Sequence, residues 1–197
     1  MINEINRRPY QLKQRAESAE ETRRRLIEAT FALHSKQGIA ATTMKQIAER
    51  AGVGVGTVYH HFPTLDDTIN ACGQMVMATW PPPSEATFAG VPAMKERLRL
   101  LARALFAWGD QVALDVVRMD RDRLPIVRKF IDDEQAHRVE LTRAALAPFA
   151  IDRDLIRISA ALLDIGVYRS LQRAGQTLDQ AVGTIADVIH ARLTRKD

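Results

Sequence analysis

Residues 42–62 read TTMKQIAERAGVGVGTVYHHF, and this stretch decides how the rest of the chain is understood. Thr43 and Gln46 stand three apart, the spacing of a reciprocal helix cap in which a hydroxyl satisfies one free backbone N–H and a side-chain carbonyl satisfies another. Met44, Ile47, Ala48 and Ala51 then fall on one face of a short helix. Gly52 can supply the left-handed stop, and Val55 to His61 has room for a second short helix before Pro63. Two short helices about a glycine corner predict a helix-turn-helix over about residues 43–62. Ala48 is small enough to let the helices approach, and Val53, Val58 and Phe62 give the second one an apolar underside. Its outer face carries Val55, Gly56, Thr57, Tyr59, His60 and His61, groups that can enter a major groove, hydrogen-bond phosphates or touch thymine methyls. On spacing alone, a corner with a solvated outer face reads equally well.

Upstream, Ser18 and Glu21 repeat the cap pattern, which predicts a first helix that starts at Ser18, buries Ile27, Thr30, Phe31 and His34, and stops at Gly38. Arg7, Arg8, Lys13 and Arg15 ahead of it read as a basic arm. The charge balance points the same way. The 197 residues carry a net +4, yet residues 1–65 hold 10 Lys and Arg against 6 Asp and Glu, while residues 66–197 hold 18 of each. The whole excess sits with the helix-turn-helix, as in a module that meets a polyanion.

With the preceding RRRLIEATFALHSKQGIAATT (residues 23–43), this region resembles the tetracycline-repressor (TetR) family of bacterial transcriptional regulators over about 45 residues. The resemblance rests on T-T at a helix start, I-A-x-x-A-G-V through the turn and G-T-x-Y-x-H-F in the second helix. It implies an all-α chain with a three-helix DNA-binding domain over residues 1–64 and a helical ligand-binding and dimerisation domain over 65–197. Such a chain acts as a homodimeric repressor on a palindromic operator and is released by a small apolar or aromatic effector. Carried over by position, the resemblance implies that Thr43 anchors a phosphate, that Thr57, Tyr59 and His60 contact backbone, and that Val55 and Gly56 approach base edges. Lys45 and His61 are further DNA partners by position. Three residues depart from the family pattern: Gly54 replaces the usual Ser, His34 an aromatic, and Leu65 a lysine. The last removes a phosphate contact unless His61 or the amino-terminal arm compensates.

Beyond Leu65, Pro81-Pro82-Pro83, Pro92, Pro125 and Pro148 separate segments of helical length. Met94, Leu98, Leu101, Leu105 and Trp108 mark the face of one helix, and Ile126, Phe130, His137 and Leu141 part of another. Residues 118–123 alternate in charge and read as a solvated connection. Leu155, Ile158, Leu162 and Ile165 form one late stripe, and Leu178, Val182, Ile185 and Ile189 a second. Each stripe fits the chain's own core; the resemblance implies instead that both pair with a second subunit. Met75, Met77, Trp80, Phe88, Trp108, Met119, Phe130, His137 and Tyr168 are the candidate effector-pocket residues.

Other classes fare worse. Glu134 and His137, with Asp187 and His190, supply carboxylate-x-x-His pairs and hence half of a di-iron carboxylate site, the alternative of a helical-bundle oxidoreductase. Two further inward carboxylates are missing, since only Asp164 stands within an apolar helix. There is no G-x-S-x-G, and Gly54-x-Gly56 lacks the strand and third glycine of a nucleotide loop. Cys72 is the sole cysteine, which excludes an intrachain disulfide and fits a reducing compartment. No apolar run has the length of a membrane span and the first residues lack an apolar signal stretch, so the expectation is a cytoplasmic protein that is no enzyme and needs no cofactor or metal. A DNA-organising module without a ligand is disfavoured by some 130 neutral residues it has no use for.

Overall fold

The computed structural model describes the backbone of residues 7–195 and the side chains from Leu12 onward, so the Arg7 and Arg8 side chains of the basic arm lie outside the described residues. Among these residues the structure is all-helical, as the sequence predicts. Its α-helices are α1 (Arg7–Gln37), α2 (Met44–Ala51), α3 (Val55–His61), α4 (Leu65–Thr79), α5 (Met94–Gln111), α6 (Leu114–Arg118), α7 (Pro125–Leu146), α8 (Arg153–Leu162), α9 (Ile165–Arg173) and α10 (Leu178–Thr194). None is long and apolar enough to cross a membrane. The chain divides into two compact units, Met1–Ala78 and Thr79–Asp197. The division expected from sequence fell at Leu65, one helix earlier.

In the first unit, α1 begins at Arg7 and not at Ser18. Ser18 lies inside the helix, where its carbonyl accepts the Thr22 hydroxyl at 2.9 Å. A capping pattern permits a start without imposing one. Residues 11–21 are mostly good helix formers, and Pro9 is tolerated in a first turn. The core joins Leu26, Ile47 and Val58, all at 0% exposure, to Ala48, Ala51, Phe62 and Ala71, with Val53, Leu65 and Met75 packed against it. His34 is buried as well, whereas Phe31 is only half-buried.

In the second unit α5 packs against α10 and α7, and α7 against α8. Leu98, Leu101, Ala102 and Phe106 of α5 are wholly buried. The face of α7 that turns inward is Val127, Ile131, Glu134, Arg138, Leu141 and Ala145, one step round from the expected row. Ile126 and Phe130 are half-buried and His137 is exposed. The buried row contains an ion pair, which an apolar pattern passes over. Arg138 Nε donates to Glu134 at 3.1 Å, Nη1 to the Ala160 carbonyl at 2.5 Å, and Nη2 lies 2.9 Å from Asp164. Arg118 completes the group, donating to Asp164 at 2.5 Å and to Glu134 at 3.3 Å. The charged run 118–123 is therefore not simply solvated: Arg118 reaches inward and Asp120 is buried.

Asp164 does not stand within a helix. It caps α9, accepting from the Gly166 N–H at 2.7 Å, so the late stripe breaks at Leu163–Asp164 and Ile165 belongs to the next helix. Burial pushes the Asp164 carboxyl up, but hydrogen bonds from Arg118 and Gly166, with the Arg118 and Arg138 charges, outweigh it and hold the group below its ordinary value. Gly109 lets α5 and α9 approach so closely that a Cβ there would lie 2.7 Å from Ile165 Cδ1. Arg97 makes another hub. It donates to the carbonyls of Ala145 (2.6 Å), Ala144 (3.0 Å), Phe88 (3.1 Å) and Val91 (3.0 Å), and its guanidinium lies 4.7 Å from the Phe88 ring centre.

The stripes assigned to a partner subunit are placed unevenly. Ile165, Val182, Ile185 and Ile189 are buried inside their own chain: α10 runs along α5 and spends its apolar face there, and Ile165 of α9 abuts Gly109 of α5. Leu155, Leu162 and Leu178 are half-buried. Ile158 is 50% exposed, as is Val188, outside the expected set, at 49%.

Candidate nucleic-acid interface

The helix-turn-helix is built by short-range bonds. Thr43 Oγ1 accepts the Gln46 N–H at 3.2 Å, and Gln46 Oε1 accepts the Thr43 N–H at 2.9 Å, closing the expected capping box of α2. Such a cap is worth about 1 kcal/mol. Gly52 ends α2 at φ +67°, a conformation that costs an L-residue about 1–2 kcal/mol. Thr64 and Asp67 repeat the reciprocal cap at the start of α4.

Two arginines of α1 set this unit from a distance, and neither was legible in the sequence, where 26 residues separate the first from its partner. Arg25 donates from Nη2 to the Ala51 carbonyl, the last of α2, where a cation also complements the helix dipole. Arg23 lies 5.2 Å from the ring centre of Phe62, which closes α3. Gln37 Nε2 adds bonds to the Ala41 carbonyl (3.1 Å) and Gln46 Oε1 (3.3 Å), bracing the entry to α2.

On this frame α3 turns Val58 inward and leaves Val55, Gly56, Tyr59 and His60 exposed, with Thr57 and His61 half-buried. Tyr59 is 52% and Val55 45% exposed. Thr43 and Lys45 stand exposed on α2, with Lys45 Nζ 3.9 Å from Glu49. All eight candidate positions thus belong to two short helices joined by one turn. Burial, with the His60 and Arg23 charges, outweighs the opposing Glu20 and pushes the His61 imidazole below its ordinary value. This shift works against a charge at His61 that would replace the missing lysine. Leu65, at that position, packs on the core of the unit.

Of the nine pocket candidates, the seven in the second unit do not all gather in one place. Trp80, Phe88, Trp108 and His137 gather round residues 80–88: Trp108 Nε1 donates to the Trp80 carbonyl at 2.9 Å, and His137 Nε2 lies 2.8 Å from the Pro83 carbonyl. Tyr168 is buried elsewhere, stacked on Phe106 at 4.8 Å and bonded to Gln172 at 2.8 Å. Met119 is 73% exposed. Met75 and Met77 are half-buried on α4, in the first unit. A cavity of about 560 Å³ lies between α7, α8 and α9, lined by Gln135, Arg138, Ala161, Asp164 and Val167 among others, and contains none of the nine.

The di-iron alternative loses its ligands. Glu134 is committed to Arg138 and Arg118, His137 to a carbonyl, and Asp187 to Lys95 at 2.9 Å. Among the described residues no three His, Cys, Asp or Glu side chains converge on a metal-sized site. Burial pushes the Cys72 thiol up to about 12, far from a reactive thiolate.

A capped, glycine-cornered helix pair with one polar outer face defines a helix-turn-helix protein. Residues 26–72 match the model of the bacterial regulatory proteins, tetR family. The HTH-type transcriptional repressor KstR of Mycolicibacterium smegmatis is 47% identical over 49 residues, 25% of this chain and 24% of that protein. The HTH-type transcriptional regulator TtgR of Pseudomonas putida is 44% identical over 55 residues, 28% of this chain and 26% of that protein. These matches span about a quarter of each relative's length. The fold is shared more widely. A putative TetR-family transcriptional regulator from Rhodococcus sp. superposes with a TM-score of 0.67 at 16% identity, over 88% of this chain and 100% of that one. NalD, the secondary repressor of the MexAB-OprM multidrug efflux pump in Pseudomonas aeruginosa, gives 0.64 at 20%, over 90% and 99%. All four are named as transcriptional regulators or repressors.

Proposed function

We propose that this chain is a cytoplasmic transcriptional repressor that binds a palindromic DNA operator as a homodimer and is released by a small apolar or aromatic effector. The observation that carries the reading is the outer face of α3. It leaves a tyrosine and a valine about half in water on a helix held by buried Val58 and by Arg23 over Phe62. Val55 and Gly56 then approach base edges, Thr57, Tyr59, His60 and His61 contact sugar and phosphate, and Thr43 and Lys45 hold phosphates at the start of α2. Two such heads on adjacent major grooves stand roughly 34–36 Å apart, which calls for a second copy of the chain. Ile158, with Leu155 and Leu162 beside it on α8, and Val188 on α10 offer apolar surface for that contact.

The test begins with duplexes enriched by the wild-type protein from a randomised library. Tyr59→Ala is expected to weaken binding to them about tenfold or more, the cost of one lost interface anchor, while sedimentation shows the oligomer unchanged; undiminished binding refutes the assignment of α3. Ile158→Asp is expected to give monomers. The effector arm has a built-in probe. Trp80 and Trp108 are the chain's two tryptophans, joined by the bond from Trp108 Nε1 to the Trp80 carbonyl. Compounds that shift tryptophan emission and also release DNA support an effector site there.

A further inference from the structure

We infer that the cavity between α7, α8 and α9 binds a small neutral molecule that carries a carbonyl beside an N–H on an apolar ring, as an aromatic lactam does. The inference does not depend on the DNA-binding reading. The cavity lies at a break in the chain: α8 stops at Leu162, and Asp164 leaves the helical conformation at ψ 141° to cap α9. Gln135 and Arg138 of α7, Ala161 of α8, Asp164 at the break, and Gly166 and Val167 of α9 help to enclose about 560 Å³, the size of a small-molecule pocket.

The polar atoms on its wall are only partly used. The Arg138 side chain is 5% exposed and the Asp164 side chain 21%. A guanidinium has five N–H groups, and the contacts to Glu134, the Ala160 carbonyl and Asp164 occupy three of them at most. A buried cation thus keeps N–H groups that have no acceptor among the described residues. Asp164 Oδ1 already accepts from Arg118 and Gly166, whereas Oδ2 faces Arg138 alone and keeps a free lone pair. Spare donors beside a spare acceptor suit a partner with the reverse order, a carbonyl for Arg138 and an N–H for Asp164 Oδ2. The charges of the wall balance, since Arg118 and Arg138 face Glu134 and Asp164. A charged ligand would therefore bring an uncompensated charge into a partly dehydrated site. Ala161, Gly166 and Val167 supply apolar wall for the ring. An isoleucine from a second copy of the chain would fill the space but leave the donors and the acceptor stranded.

The experiment titrates four probes calorimetrically into the full chain with no DNA present. They are 2-quinolinone, N-methyl-2-quinolinone, which lacks the donor, quinoline, which lacks the carbonyl and the donor, and quinoline-2-carboxylate, which is charged. 2-Quinolinone is expected to bind, and the two neutral analogues to bind about tenfold more weakly or less, because each leaves a polar group of the wall unpaired. The carboxylate is expected to bind no better than quinoline. Equal affinity for the three neutral probes makes the cavity a plain apolar crevice and overturns the proposal. Preference for the carboxylate, or no binding of 2-quinolinone at millimolar concentration, overturns it as well. Gln135→Phe, at an exposed position of α7, puts a ring into the cavity and is expected to abolish binding while circular dichroism and sedimentation stay unchanged. If that variant misfolds, Ala161→Leu fills the cavity from α8. Retained binding in a folded, filled variant places the probe elsewhere and refutes the site. A filled variant that loses its oligomeric state, while the wild type ignores the probe, assigns the cavity to contact with a second copy and refutes it too.

Discussion

Gly52 and Gly54 stand two residues apart in the turn, and the structure gives their replacements opposite signs. At Gly52 the backbone has φ +67°, and an added Cβ would sit 3.3 Å from Arg25 Nη2. Gly52→Ala incurs about 1–2 kcal/mol for the left-handed conformation, plus part of the Arg25 bond to the Ala51 carbonyl if the guanidinium has to move. About 0.4–1 kcal/mol returns through the stiffer unfolded chain, leaving a net loss of about 1–2 kcal/mol. At Gly54 the backbone has φ −71° as the N-cap of α3, without a side-chain bond, and a Cβ meets nothing within 4 Å. Gly54→Ser adds the missing cap and the same stiffening, for a gain of about 0.5–1 kcal/mol. Urea unfolding followed by far-ultraviolet dichroism measures both. Gly52→Ala in an Arg25→Met background separates dihedral strain from contact: strain alone leaves its cost unchanged, whereas contact makes it smaller. Equal effects of the same sign at the two glycines would refute the reasoning.

Other expectations follow from the second unit and from the departure at Leu65. Arg138→Met leaves Glu134 and Asp164 with Arg118 as their one remaining cation and is expected to cost about 3 kcal/mol, read by thermal unfolding. Because the folded Asp164 carboxyl lies below its unfolded value of about 3.9, its contribution is present above that pH and lost as pH falls through the folded value. Asp164→Asn is therefore less stable at pH 7, by a margin that shrinks below about pH 4; a margin constant with pH contradicts the pairing. Gly109→Ala is expected to cost about 1–3 kcal/mol through its clash with Ile165, and less when Ile165→Val removes the offending methyl. Leu65→Lys is expected to raise the salt slope of DNA binding by about 0.9 per head, at some loss of packing visible in the melting temperature.

What the sequence made legible was local. The cap at Thr43, the apolar face of α2 and the stop at Gly52 lie within ten residues, so spacing and side-chain chemistry suffice. The failures share a physical cause, which is that the partner is distant. Periodicity finds an apolar row on α10 but does not say that α5 already occupies it. On α7 the buried row contains Glu134 and Arg138, and an apolar pattern slides to the neighbouring row of Ile126, Phe130 and His137. Ser18 has a cap's chemistry without a cap's position, because nothing before it stops a helix. Aromatic and methionine side chains announce burial, and only the fold says against what: Tyr168 stacks on Phe106, whereas Trp108 bonds to the Trp80 carbonyl.

The two guanidinium hubs of the second unit respond to solvent conditions in different ways. Arg138 and Arg118 are balanced by carboxylates that can take up protons, so acid unfastens the junction of α7, α8 and α9. Arg97 is satisfied by four backbone carbonyls, none of which titrates. The corner where residues 88–91 meet the end of α7 therefore keeps its fastening at any pH the chain survives. Acid should open this unit from one end first, and hydrogen exchange at low pH would show protection lost around residues 160–166 while it persists around 88–97.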